Sequence, residues 1–500
     1  MSAQLADVAV HATAAHHYPR RQPFGPPQPY PELPGRALDP ENQVYDDVRQ
    51  TLRLCGLDRE RYGTPEWSPF RELVKPGMSV FIKPNTVSHV NLGGHDIYAV
   101  IVHASVLRPI LDYVCLALGG EGRIVIGDSQ VIFGQFEPAM RVSGIADLLA
   151  WYRTQTPVPI ECFDLRRVRG ARSWMLGRWA RPRVDRDPRG YVTVDLGDES
   201  CFRDVDPGRL RIAIASHKEM YRRHSQGRHE YVLPGSFLAS DAVISVAKLK
   251  THRRTGVTLC LKNYMGIAAL KDCLPHFTTG APEQGGDQYI HPSRRKEICL
   301  HLHDRIQSSP LVPEKFVLAV LKRLVWDSHY LVPFQDDVYE AMWPGNDTLW
   351  RTLLDLHRIC RYADVRGRLH DVPQRAQFHL VDGIVGGEGD GPISPAPVAS
   401  RLLLAGHDAA SVDAVGATLM GFDVARIPLI THAFADPAPR RRICAAALEE
   451  VRANLDGQEQ TLECLASTPR LRFAPHPNWV GHIELPVMDP VRLELHRDVA

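Results

Sequence analysis

The chain has 500 residues, 44% hydrophobic and 23% charged, enough to bury a large core and too apolar to stay disordered. Its 59 Lys and Arg nearly cancel its 58 Asp and Glu, leaving +1, so no overall field invites nucleic acid or an anionic membrane, and any anion binding must be local. Ten scattered cysteines without a C-x-x-C pair supply neither an iron–sulfur motif nor a zinc knuckle and fit reduced thiols. The first residues lack the charge and apolar pattern of a secretory signal, and no window approaches the roughly 18 apolar residues of a membrane helix. A cytoplasmic protein is the expectation.

In chain order, "ADVAVHAT" predicts a short strand, and "YPRRQPFGPPQPYPELPGR" has too many prolines for a helix or central strand, so residues 1–40 read as an arm running over the surface. "DPENQVYDDVRQTLRLCGL" predicts the first helix, with an Asp cap, an apolar stripe and a terminal Gly. Six apolar runs then recur, each followed by polar residues: "GMSVFIKPN", "GRIVIGDSQ", "RLRIAIASHKE", "DAVISVAKLKTH", "AQFHLVDGIVGGEGDG" and "RLLLAGHDAASVD". Continuous Val/Ile/Leu runs suit strands buried on both faces, with amphipathic stretches as covering helices. The fold class expected is α/β, an open and mainly parallel sheet with helices on both faces.

The core spans 41–270 and 376–435. Between them, 271–375 reads as a largely helical insertion whose loop "CLPHFTTGAPEQGGDQYIHPSRRK" is a candidate lid. Residues 436–500 read as a helix, "PAPRRRICAAALEEVRANL", followed by an irregular tail.

Ligands of open α/β sheets bind beyond the carboxyl ends of the strands. Lys83, Asn85, Asp128, Ser129, His217, Lys218, Lys248 to His252, Asp382 to Asp390, His407 and Asp408 should therefore gather on one rim. "TGVTLCLKNYMGIAAL" has Val257, Leu261, Tyr264 and Ala268 at helical spacing, with Thr255 and Gly256 at its start. Free N–H groups there, with Lys248, Lys250 and His252, would hold a phosphate or carboxylate, and Thr258 and Lys262 would share a face. Lys262 stands out because it interrupts an apolar pattern, where burial is costly without a partner.

In "DGIVGGEGDGP" the glycines, Gly389 and Gly391 among them, permit close backbone approach to a ligand. Asp382, Glu388 and Asp390 could bind a divalent metal or act as bases, the alternative being an ordinary tight turn. Asp408 reads as a helix cap and Asp413 as a carboxylate able to face the rim, and capping explains Asn346 and Asp347. His276, His291, His301 and His303 tempt a metal reading, but the "HLH" spacing puts His301 and His303 on different sides of a helix.

Together "VFIKPN", "IVIGDS", "KLKTH…TGVTLCLKNYMG", "VDGIVGGEGDGP" and "HDAASVDAVGATLMGF" occur in an order that resembles the DUF 362 family, a domain of unknown function, from about residue 79 to 433. Some members of that family carry ferredoxin-type cysteine clusters, which this chain lacks. One segment also resembles nickel-pincer-dependent lactate racemase, whose His, turn glycine and cofactor-bearing Lys are matched in layout by His252, Gly256 and Lys262. That likeness implies a nucleotide-derived cofactor on the lysine and a racemase or epimerase of hydroxy acids.

The sequence thus predicts an enzyme for a small anionic metabolite or cofactor, performing a redox or proton-transfer step. His252, Lys262, Asp382, Glu388 and Asp413 are its candidate catalytic residues. Lys83, Asn85, Asp128, Ser129, Lys248, Lys250, Thr255, Gly256, Thr258, Gly389 and Gly391 are its candidate ligand contacts. The alternative is a non-catalytic module binding a nucleotide-like ligand.

Overall fold

Five of the six apolar runs become strands of one 11-stranded sheet. The computed structural model describes residues 7–486 apart from 169–170, 174–177, 181–182, 213–216, 332, 436–440, 445 and 468–469. In chain order the strands of this sheet are β1 (Asp7–Ala12), β2 (Ser79–Pro84), β3 (Arg123–Asp128), β4 (Ile160–Asp164), β5 (Ala242–His252) and β6 (Gly256–Thr258). They continue as β7 (Ala376–Glu388), β8 (Ala396–Val398), β9 (Leu402–Gly406), β10 (Arg452–Leu455) and β11 (Gln458–Thr461).

The spatial order is β11-β10-β1-β9-β7-β5-β2-β3-β4, with β6 hairpinned onto β5 and β8 onto β7. Strands β7, β5, β2, β3 and β4 run parallel, while β9 is antiparallel to β7 and β1 to β9.

The central strands are apolar throughout because both faces are covered. On β5, Ala242, Ile244 and Val246 enter a core shared with helices α1 (Gln43–Leu54) and α2 (Ala104–Leu118). Val243, Ala247 and Leu249 face the other way, toward cores that hold α3 (Cys260–Asn263), α6 (Leu349–Tyr362) and α7 (Ala409–Leu419). The α/β class and the two helical layers are as expected. Among the described residues no helix is long and apolar enough to cross a membrane.

Four expectations are corrected. "RLRIAIASHKE" is not a sheet strand: Leu210–Arg211 pairs only with Phe277–Thr278, residues 213–216 lie outside the described set, and His217–Arg223 is helical. The Pro-rich arm does not merely cross the surface, since Tyr18, Phe24, Tyr30 and Leu33 are buried in the α1/α2 core.

"PAPRRRICAAALEEVRANL" is not a helix where it is described. Its end is a 3₁₀ turn and then β10, because Val451, Ala453 and Leu455 bury on alternate residues and β1 offers a parallel edge. Residues 437–440 and 445 of that stretch lie outside the described set. Finally, β9 runs against β7, so His407 and Asp408 leave the sheet at the opposite rim.

Within 271–375, α4 (Arg294–Ser308) and α5 (Val312–Asp327) form a hairpin whose outer side exposes Phe316, Val317, Val320, Leu321 and Leu324. Helix α6 instead lies deep in the core, with Leu353, Leu356 and Ile359 buried.

Candidate functional site

The parallel strands β2, β3 and β5 end side by side, and beyond their carboxyl ends lies a cleft of about 470 Å³. Its wall contains eight of the residues singled out from sequence: Lys83, Asn85, Asp128, Ser129, Lys250, His252, Thr258 and Lys262. Lys83 Nζ pairs with Asp128 at 3.0 Å and donates to Asn263 Oδ1 at 3.1 Å. Asp128 Oδ2 also accepts from the N–H and hydroxyl of Thr86, both at 2.8 Å. Ser129 donates its hydroxyl to the Ala268 carbonyl and its N–H to that of Gly266. Gly266 permits this crowding, because a β-carbon there would sit 2.3 Å from Asp128 Oδ1 and 2.6 Å from Lys83 Nζ.

Lys248 and Asp382 lie beneath the cleft, not in it. Parallel pairing sets them opposite one another across β5 and β7, and Nζ reaches Oδ2 at 3.0 Å with both side chains fully buried. Tyr18 of the arm completes the group: Lys248 donates to its hydroxyl at 2.6 Å, and that hydroxyl donates to Asp382 Oδ1 at 2.6 Å. A carboxylate so engaged is structural, which takes Asp382 out of base or metal duty. Lys250 points to the cleft side but donates to the carbonyls of Val100 and Pro392, and burial holds its ammonium well below the usual lysine range.

The expected helix from Thr255 does not form. Gly256 (φ +74°) turns the chain back so that β6 pairs antiparallel with the end of β5, and helix α3 begins only at Cys260. Its first N–H groups are already occupied, since Cys260 N and Leu261 N donate to the two oxygens of Asp413 at 2.6 and 3.1 Å. The carboxyl group expected at the rim instead caps this turn internally, and burial pushes Asp413 up to about 8, which favours its neutral form. Thr255 donates to the Val257 carbonyl and Gly256 packs against Trp479, so neither reaches the cleft wall.

His252 is held by the same hairpin. Its Nδ1 accepts from Arg254 N and Thr255 N at 3.1 and 3.2 Å, which leaves the hydrogen on Nε2. Burial and the neighbouring Lys262, Arg253 and Arg254 hold its pKa well below the ordinary 6.5, so the ring is a neutral donor. Lys262 differs from every other lysine in the wall. It has no hydrogen-bond or ion-pair partner among the described residues, and burial, then Arg254, Arg253 and Lys83, lower it to about 7.

The glycine loop does not gather its carboxylates. Glu388 accepts from Ala474 N at 2.8 Å, while Asp390 is exposed beside His476. Gly389 accepts from the Thr251 hydroxyl, and Gly391 lies so close to β5 that a β-carbon would sit 2.0 Å from the Thr251 carbonyl oxygen. The loop thus braces β5 and lends Pro392 and Ile393 to the wall. Among the described residues no three His, Cys, Asp or Glu are grouped to hold a metal, and of the four tempting histidines only His276 lines the cleft.

Sequence reasoning missed Asn263, Lys271 and Glu340, and weighed His276 only as a metal ligand. Asn263 joins the strands by donating to the Lys83 carbonyl and Ser245 hydroxyl. Its position directly after Lys262 was the available signal. Lys271, lowered to about 7 mainly by burial, donates to the Met265 carbonyl, and Glu340 pairs with Arg254 at 3.0 Å. The wall therefore holds six Lys and Arg against two carboxylates, Asp128 and Glu340, both already paired.

Residues 208–418 match the model of a family described as a domain of unknown function, DUF362. The matched stretch is less than half of the chain. It carries β5 to β9, Lys250, His252 and Lys262, whereas Lys83, Asn85, Asp128 and Ser129 come from strands before the matched DUF362 residues. No curated protein matches the chain. A crystallographically solved protein from Thermotoga maritima is 12% identical over 71% of this chain and 53% of that one, with a TM-score of 0.25. This chain spans about half the length of that protein.

Proposed function

We propose that the protein is an enzyme that seats the phosphate or carboxylate of a small metabolite or cofactor in this cleft and moves a proton with Lys262. The observation that supports this most is the state of Lys262: an unpartnered amine near 7, facing a cleft whose acids are already spoken for. Such a group is ammonium and amine in comparable amounts at neutral pH, the condition for giving and taking a proton in one cycle. Bound to an anion it supplies charge; released, it is a base or nucleophile.

The other wall groups suit orientation. Asn85 Oδ1 and Thr258 Oγ1 are buried without hydrogen-bond partners, and His252 offers Nε2–H. Arg253 Nε is likewise buried and unsatisfied. Unsatisfied buried polar atoms each cost about 1–3 kcal/mol. A guest with acceptors for Arg253 and Lys262 and a donor for Asn85 would recover part of that cost.

The test needs no substrate. Trinitrobenzenesulfonate at neutral pH should modify Lys262 before the surface lysines, as mapped by peptide mass, and inorganic phosphate should slow that reaction. Labelling of Lys262 no faster than the surface average, or an absence of protection, overturns the reading.

A further inference from the structure

The cleft wall is part basic and part apolar. Lys250, Arg253, Lys262 and Lys271 line its basic part, whereas Val90, Leu92, Val131, Ile132, Phe133 and Ile393 line its apolar part. Two of these are large apolar side chains left in solvent: Val90 is 41% exposed and Leu92 64%. Single exposed aliphatics are ordinary on any surface. These two line one cleft, on a loop that also carries Ser88, His89 and Asn91. The 470 Å³ volume equals the share of about fifteen waters, and a bare phosphate takes the place of only a few.

We infer that the guest is an amphiphilic anion, a phosphate or carboxylate head among the cations joined to a hydrocarbon body of several carbons that lies along Val90 and Leu92. This rests on the anion-binding reading above and narrows it. The head answers the cations and accepts from the unsatisfied Thr258 hydroxyl. The body covers the apolar side chains that a small polar metabolite would leave wet.

Titration calorimetry with inorganic phosphate, methyl, butyl and hexyl phosphate, and the alkanoates of matching length, tests both levels. Each methylene reaching Val90 and Leu92 should tighten binding about two- to fourfold, and the series that binds more tightly assigns the head group. In a Val90→Ser/Leu92→Ser variant the gain per methylene should vanish while inorganic phosphate binds as before; both positions are exposed or nearly so, and the fold does not depend on them.

If phosphate binds but affinity stays flat along the series, or the gain survives in the variant, the amphiphile inference is overturned and the anion site stands. If neither phosphate nor any member of either series binds, the anion site fails and the amphiphile with it.

Discussion

Replacing Lys262 by Met should make the protein more stable and less able to bind. The side chains are similar in length, but the variant no longer places an ammonium in a buried wall beside Arg253 and Arg254. Lowering that ammonium from 10.5 to about 7, at about 1.4 kcal/mol per unit, gives a ceiling near 5 kcal/mol. Water in the cleft screens the charge, so about 2 kcal/mol is the expected gain.

The gain depends on pH with a definite sign. Below about 7 the native and unfolded chains both hold the proton, and the native state bears the whole penalty. Between about 7 and 10.5 the unfolded chain keeps a proton that the native chain has released, so wild-type stability rises with pH and the advantage of the variant shrinks. Urea unfolding followed by tryptophan fluorescence, at about pH 6 and about pH 9, reads both midpoints. A variant less stable than wild type at the lower pH, or equally advantaged at both, would refute the reasoning.

Other predictions concern the surroundings of that lysine. Tyr18→Phe removes the hydroxyl shared by Lys248 and Asp382 and should lower stability by about 1–3 kcal/mol. Lys248→Met leaves a buried carboxylate without its cation and should cost about 3–5 kcal/mol, an order that the same urea midpoints check. Asp413→Ala leaves two N–H groups of α3 unsatisfied, at about 1–2 kcal/mol, and should weaken phosphate binding by displacing Lys262, with Asp413→Asn milder on both readouts. Sulfate, which does not itself titrate near neutrality, should bind with uptake of a proton at about pH 8 and none below about pH 6. The reason is that the bound anion favours the ammonium forms of Lys262 and Lys271, both near 7. Calorimetry in two buffers of different ionisation enthalpy measures that uptake.

The parts of this architecture legible in the sequence are those written in short-range pattern. The Val/Ile/Leu runs at β2, β3, β5, β7 and β9 identify themselves because burial on both faces demands apolar residues at every position. The polar residues after β2, β3 and β5 share a rim because those strands are parallel. The direction of β9 is not written in "RLLLAG", and so His407 and Asp408 were expected on the wrong side. Between 255 and 268 helical spacing competes with a hairpin that Gly256 permits, and pairing with Lys250 to His252 wins. Tyr18 could not be foreseen beside Asp382, 364 residues away. Nor could the engagement of Asp413 with Cys260 and Leu261, which depends on α7 packing beside α3.

The strand order also bears on what can be separated from the rest. The matched residues 208–418 begin after β2, β3 and β4 and end before β10, yet β5 is bonded along Ala242 to Val246 to β2. Expressed by itself, that stretch would present a long, flat, apolar strand with a bare row of N–H and C=O groups, the arrangement that drives chains to add to one another. It would also leave Lys248 and Asp382 without Tyr18, and half the cleft wall missing. The boundary of likeness is thus not a boundary of folding, and the smallest soluble piece should reach back to β1.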